Sequence, residues 1–237
     1  MQQSYFDKFS SDWWKKDGPM KMLHSMNETR MLFIKERILN RYQSLGDIGN
    51  ILKSKTILDL GCGGGILAEE LAYKGAKIKA IDQSKQLINI AKKRAKDKGL
   101  SIDYECTDIN KIHKLGFRFD IIICLEVVEH VLDLQDFLTN AYKCLNRNGL
   151  IIFSTINRSK ISFFTTILIA ENILKLVPKK THDWNKYVKP EEIINLAKKY
   201  SFDVDKLSGL LPLPGLSNFK WIRIKNTKAN YIISLKN

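Results

Sequence analysis

Cysteine is scarce and scattered in this chain. Only Cys62, Cys106, Cys124 and Cys144 occur, and no C-x-x-C pair brings two of them together. That argues against a disulfide framework and the common zinc sites, and the four read as reduced thiols of a cytosolic protein. Long hydrophobic runs are missing as well. No apolar stretch approaches the roughly 20 residues that a membrane-spanning helix needs. Residues 1–20 are polar and aromatic, with Asp7, Asp12 and Asp17 interspersed, and do not read as a signal peptide. Repeats and low-complexity tracts are absent. So are arginine clusters interleaved with aromatics, the mark of nucleic-acid readers. The charge is nonetheless basic: 39 Lys+Arg against 25 Asp+Glu give a formal +14. The excess is mostly lysine and is spread along the chain. It permits an anionic membrane surface as partner; no nucleic acid is expected.

What the chain does have is one dense stretch, Thr56 to Gly65. It reads as a short buried strand running into a turn with four glycines, then a helix from Ile66. Glycines there permit positive φ and let backbone approach a ligand with no Cβ in the way. The helix start presents free N–H groups. A Gly-Lys-Ser/Thr ending is lacking, which excludes a P-loop, and the spacing lacks the third glycine of G-x-G-x-x-G. A second strand, Lys77 to Asp82, ends in an acid, which suits hydrogen bonding to the two hydroxyls of a ribose.

From Thr56 strand and helix alternate. The pattern predicts strands at 56–60, 77–81, 101–105, 119–124, 150–155, 203–210 and 229–236. It predicts helices near 66–74, 84–98, 134–145 and 190–200, with Ser84 as N-cap, Gly99 as terminator and Pro190 opening the last. The expected fold is α/β: a doubly wound, mostly parallel seven-stranded sheet with ligands at the carboxyl ends of its strands. Residues 1–52 are expected to form a helical cap, with a helix from Asn27 to about Tyr42, and 53–237 the main domain. The chain as a whole is expected to be one structural unit. Trp13-Trp14 followed by Gly18-Pro19 is hard to explain as packing alone.

The fourth strand runs into Glu126-Val127-Val128-Glu129-His130. If a helical turn starts there, positions i, i+3 and i+4 share one face. Two carboxylates and an imidazole at a strand end form a candidate divalent-metal site, open to magnesium, zinc or manganese. Acids decorating a helix N-terminus would look the same. Residues 158–189 interrupt the alternation. Ile161 to Ala170 is strongly apolar and flanked by Lys160, Lys175, Lys179 and Lys180. That suits either a membrane-facing lid or a buried lid helix.

The D-x-G-x-G core (Asp59, Gly61, Gly63) with Asp82 resembles class I S-adenosylmethionine (SAM)-dependent methyltransferases. The stretches Phe119 to Asp133, Ile152 to Arg158 and Pro178 to Trp184 resemble the ubiquinone biosynthesis O-methyltransferase family. Phe6-Asp7, Trp13-Trp14, Gly18-Pro19, Leu23-His24, Asn27 and Arg30 carry the same resemblance, which spans residues 5 to about 200. It implies transfer of methyl from SAM to a phenolic hydroxyl of a polyprenylated catechol. It implies cofactor contacts at Arg30, Gly61, Gly63, Asp82 and Leu125, and Asp108 beside the adenine, where a solvated acid is the alternative. Leu125 departs from a common methionine. The resemblance also implies a divalent metal, magnesium, on Glu126, Glu129 and His130, through which these three act catalytically. His24 and His182 remain spare. The implied place is the inner face of the cytoplasmic membrane, bound peripherally, with other ubiquinone-pathway proteins as partners. The alternatives are another small-molecule acceptor, or a scaffold of the same fold without catalysis.

Overall fold

The structure is a computed structural model that describes residues 6–43, 47–108, 111–112, 114, 116–163, 183–213 and 220–237. The elements in chain order are α1 (Lys21–Arg41), α2 (Ile48–Ser54), β1 (Thr56–Leu60), α3 (Ile66–Tyr73), β2 (Lys77–Asp82), α4 (Lys85–Asp97) and β3 (Asp103–Cys106). There follow β4 (Phe119–Leu125), α5 (Leu134–Lys143), β5 (Leu145–Ile156), α6 (Pro190–Lys199), β6 (Asp203–Leu213), β7 (Lys220–Ile224) and β8 (Asn230–Lys236).

All eight strands lie in one sheet of order β3-β2-β1-β4-β5-β8-β6-β7. β1 to β5 run parallel. β8 enters antiparallel between β5 and β6, and β7 pairs antiparallel with β6. The order reverses at β1 and β4, so the carboxyl ends of these neighbours flank a crevice, where ligands bind in open α/β sheets.

Strand alternation assigns the two faces. Ile57, Ile121, Ile123 and Ile152 pack under α1 to α4, whereas Leu58, Leu60, Ile122, Cys124, Ile151 and Phe153 pack under α5 and α6. Parallel strands buried on both faces carry near-continuous Ile and Leu, as β4 does. Met26, Phe33, Ile34 and Ile38 of α1 belong to the first of these cores.

The expected seven strands become eight. β7 alternates Trp221, buried, with half-buried and exposed neighbours; such an edge strand carries too little apolar signal to read alone. β5 begins at Leu145, five residues before the expected start, because Leu145 pairs with Phe119 ahead of a register shift. α1 begins at Lys21 and not at Asn27. Most of the apolar insertion, residues 164–182, lies outside the described residues, as does His182.

Candidate functional site

The turn after β1 is held from inside. Gly61 and Cys62 N–H both donate to the Ile81 carbonyl, at 2.8 and 3.0 Å. Gly61, Gly63 and Gly65 have φ of 80°, 53° and 90°, a region open to glycine at little cost. Asp82 braces the same turn. Its Oδ2 accepts from Gly63 N and its Oδ1 from Ser84 N, each at 2.8 Å. Ser84 then caps α4, its hydroxyl accepting from Leu87 N at 3.1 Å. The acid expected to meet a ribose therefore also ties the glycine turn to the next helix. Burial raises its pKa above the usual carboxylate range.

Side chains, not open space, stand where the turn's missing Cβ atoms would be. At Gly63 a Cβ would come 2.6 Å from Trp13 Cζ2; at Gly64 it would also meet the Trp13 indole, at Gly61 Val127 and at Gly65 the Tyr104 hydroxyl. Trp13, 6% exposed, comes from the segment before α1. Trp14 Nε1 donates to the Gly64 carbonyl at 3.1 Å, and Arg94 lies over the Trp14 ring at 3.6 Å. His24 Nε2 bonds the Trp13 carbonyl at 2.8 Å. The paired tryptophans thus strap the glycine turn. Sequence reasoning flagged the pair without finding its partner, because the contact joins residues about fifty positions apart.

The crevice holds buried polar atoms without partners among the described residues: Asp59 Oδ2, Arg30 Nε and Trp13 Nε1. Burial, then the charge of Asp82, pushes the Asp59 carboxyl up to about 8. Unpaired buried donors and acceptors are costly, so such a cluster fits a polar, charged ligand such as SAM. Leu125 ends β4, partly buried beside Ser154 of β5. Asp108 follows β3 next to the same crevice: Thr107 N donates to the Asp82 carbonyl at 3.0 Å, and Gln83 Nε2 donates to Asp108 Oδ1 at 3.4 Å.

Glu126, Glu129 and His130 do not share a helical face. Glu126 has φ of 56° and precedes a single 3-10 turn, Val128–His130. The expected i, i+3, i+4 face is corrected for that reason. Glu126 Oε1 forms an ion pair with Arg30 Nη2 at 2.7 Å and accepts from the Ser154 hydroxyl at 2.8 Å. Glu129, 5% exposed, accepts from the Thr155 hydroxyl at 2.7 Å. Burial, then the nearby charge of Glu126, pushes Glu129 up to about 8. His130 is half-buried, with the Phe6 ring edge-on at 5.9 Å. Among the described residues no group of three or more His, Cys, Asp or Glu is placed to hold a metal ion. The donor chemistry suits a divalent cation; the placement does not, since Arg30 already supplies the positive charge at Glu126. Ser154 and Thr155, which orient the two glutamates, were not singled out by sequence, because hydroxyls inside a buried strand give no periodic signal.

Residues 9–207 match the family model described as a methyltransferase domain. A protein of Pelagibacter ubique (strain HTCC1062) named ubiquinone biosynthesis O-methyltransferase is 38% identical over 96% of this chain and 93% of its own length. One of the same name from Methylobacterium sp. (strain 4-46) is 35% identical, over 97% and 91%. Among solved structures, magnesium protoporphyrin IX methyltransferase from Synechocystis PCC 6803 with bound SAM superposes with a TM-score of 0.63. It is 16% identical and covers 99% of this chain and 94% of that one. An S-adenosylmethionine-dependent methyltransferase from Clostridium acetobutylicum ATCC 824 gives 0.59 at 17% identity, covering 91% and 97%.

Proposed function

The chain belongs to the ubiquinone biosynthesis O-methyltransferase family, and on that premise we propose that its acceptor is a phenolic hydroxyl of a polyprenylated catechol. It is a SAM-dependent methyltransferase of ubiquinone biosynthesis. The observation that carries the acceptor reading is the adjacency of two turns, Gly61–Gly65 after β1 and Glu126–His130 after β4, at neighbouring strand ends.

In this reading the first turn binds cofactor. Asp82 meets the ribose, the backbone of Gly61 and Gly63 borders the cofactor while Val127 and Trp13 fill the places of their missing Cβ atoms, and Leu125 and Asp108 border the adenine. Arg30 presents positive charge, and the buried Asp59 carboxyl a polar group, to the methionine end. When bound, SAM would supply a sulfonium methyl to the phenolic oxygen, the sulfur keeping the bonding pair as S-adenosylhomocysteine leaves and the phenolic proton passing to water or to His130 on the acceptor side. The chain's part is alignment, which can supply several kcal/mol of the barrier. Glu126, held by Arg30 and Ser154, and Glu129, held by Thr155, line the acceptor side with His130.

The divalent ion, magnesium, that the sequence implied for Glu126, Glu129 and His130 has no part in this reading, because those side chains are not placed to hold a metal ion and Arg30 already pairs with Glu126. Attachment to an anionic membrane at its inner face rests on the apolar, lysine-flanked stretch from Ile161, which suits a lipid interface, and contact with other pathway proteins rests on the family alone. No helix among the described residues is long and apolar enough to cross a membrane.

The test is methyl transfer from labelled SAM to a prenylated dihydroxybenzoate, with chelator and with added magnesium. Label in a methyl ether is expected; none appearing under any condition would overturn the acceptor reading. Turnover indifferent to both chelator and magnesium is expected; turnover that chelator abolishes and magnesium restores would overturn the metal-free reading. Flotation with anionic vesicles tests the membrane, and protein left in the soluble fraction at low salt ends that part.

A further inference from the structure

A cavity of about 300 Å³ opens at the other end of the sheet, lined by Arg118, Tyr142, Lys143, Arg147, Tyr200 and Phe202. Arg118 precedes β4, Lys143 ends α5 and Arg147 lies near the start of β5. These residues therefore gather at the amino ends of the parallel strands, away from the crevice. Along β5, Arg147 to Ile156 spans roughly 30 Å at about 3.3 Å per residue. A molecule in this cavity does not reach the transferred methyl.

The charge of the cavity is of one sign. Arg118, Lys143 and Arg147 line it, and among the described residues no Asp or Glu does. Elsewhere the arginines are engaged. Arg30, Arg37, Arg94, Arg158 and Arg223 pair with carboxylates, and Arg41 donates to the carbonyls of Asn148 and Asn237. Among the described residues Arg118 and Arg147 have no such partner, and both stand at this cavity.

The aromatic side holds another unmet group. Tyr142 packs on Phe202 with ring centroids 4.6 Å apart and on Tyr200 at 5.5 Å. The Tyr200 hydroxyl is bonded to that of Thr139 at 2.7 Å. The Tyr142 hydroxyl is buried with no partner among the described residues, which is costly.

We propose that this cavity binds a small organic phosphate, with the phosphate on Arg118 and Arg147 and the organic body against Tyr200 and Phe202. Guanidinium forks match phosphate oxygens in pairs, and two of them beside an ammonium suit a dianion. The volume is at the low end for small-molecule sites and exceeds what a bare phosphate fills, so an organic body has room on the aromatic side. A lipid headgroup carries the same phosphate chemistry. Membrane attachment through the stretch from Ile161, however, would place the bilayer at the opposite end of β5. The inference is independent of the acceptor reading.

The experiment is calorimetric titration of phenyl phosphate into the full chain saturated with S-adenosylhomocysteine, which keeps the crevice filled. It compares wild type with Arg118→Lys, Arg147→Lys and the double variant Arg118→Gln/Arg147→Gln. Saturable binding of one phenyl phosphate per chain is expected. Each lysine variant should weaken it about tenfold, because charge is kept and the fork is lost, and the double variant should abolish it. Thermal unfolding and S-adenosylhomocysteine affinity should stay at wild-type values, which shows the variants folded. No saturable binding to wild type would overturn the inference. So would wild-type affinity in both lysine variants, since charge alone would then draw the anion. Tighter binding of inorganic phosphate than of phenyl phosphate would remove the place for an organic body. Displacement of phenyl phosphate by phosphatidylglycerol vesicles would replace the soluble ligand with a lipid headgroup.

Discussion

Arg30 Nη2 lies 2.7 Å from Glu126 Oε1, with the arginine 4% and the glutamate 17% exposed. The pair links α1 to the end of β4. Sequence patterns put Arg30 with the cofactor and Glu126 with a metal; the fold makes them partners. Removing one member of a buried pair leaves an uncompensated charge.

Arg30→Gln is therefore expected to destabilise by on the order of 3 kcal/mol. Glu126→Gln in the same chain should recover much of the loss, because the two act as a unit. Denaturant unfolding of wild type, both singles and the double checks it. Additive single effects would show that the pair contributes nothing jointly.

Asp82→Ala removes acceptors from Gly63 N and Ser84 N. Bonds to a charged group contribute roughly 1.5–3 kcal/mol each. Lower thermal stability and weaker SAM affinity are expected together, and Asp82→Asn should retain part of both. Calorimetric titration with SAM alongside thermal unfolding reads the two effects, and unchanged affinity in Asp82→Ala would remove the ribose role.

Gly64→Ala sets a methyl against the Trp13 indole. Overpacking of this kind costs about 1–3 kcal/mol. Trp13→Leu shortens the obstacle, so the double variant should lose less than the sum of the singles. A double-mutant cycle on unfolding free energy measures the coupling; zero coupling would mean that Trp13 does not seat on the turn.

Asp59 sets a pH dependence. Its native pKa of about 8 lies above the ordinary 3.8, so the native state holds its proton more tightly than the unfolded chain. The stability this confers is full below about pH 4 and is lost as pH rises towards 8. Glu129, also raised to about 8, acts in the same direction. Asp59→Asn should make the fall in Tm between pH 5 and 8 shallower without abolishing it. An identical slope in the variant would show that Asp59 is not protonated in the native crevice.

Local signals carried much of the fold. β1 spans 56–60, β4 starts at 119, Ser84 caps α4 and Pro190 opens α6, each where turn chemistry and apolar runs point. Tertiary contacts moved the rest. Leu145 and Asn146 continue into β5 because β4 is their neighbour, and β7 exists because β6 offers it an edge. The Glu126–His130 stretch has acids at helical spacing, yet the Glu126 N–H donates to the Ser154 carbonyl at 2.9 Å, and a left-handed residue forms where a helix would begin.

The amino-acid sequence by itself determined the alternating α/β order, the glycine turn and the acid at the end of β2, because each is written within a few neighbouring residues. Only the tertiary structure decided what those glycines face and what those glutamates hold. Trp13 reaches Gly64 and Arg30 reaches Glu126 across long stretches of chain. Such contacts follow from how α1 and the strap before it pack on the sheet, which no local spacing encodes.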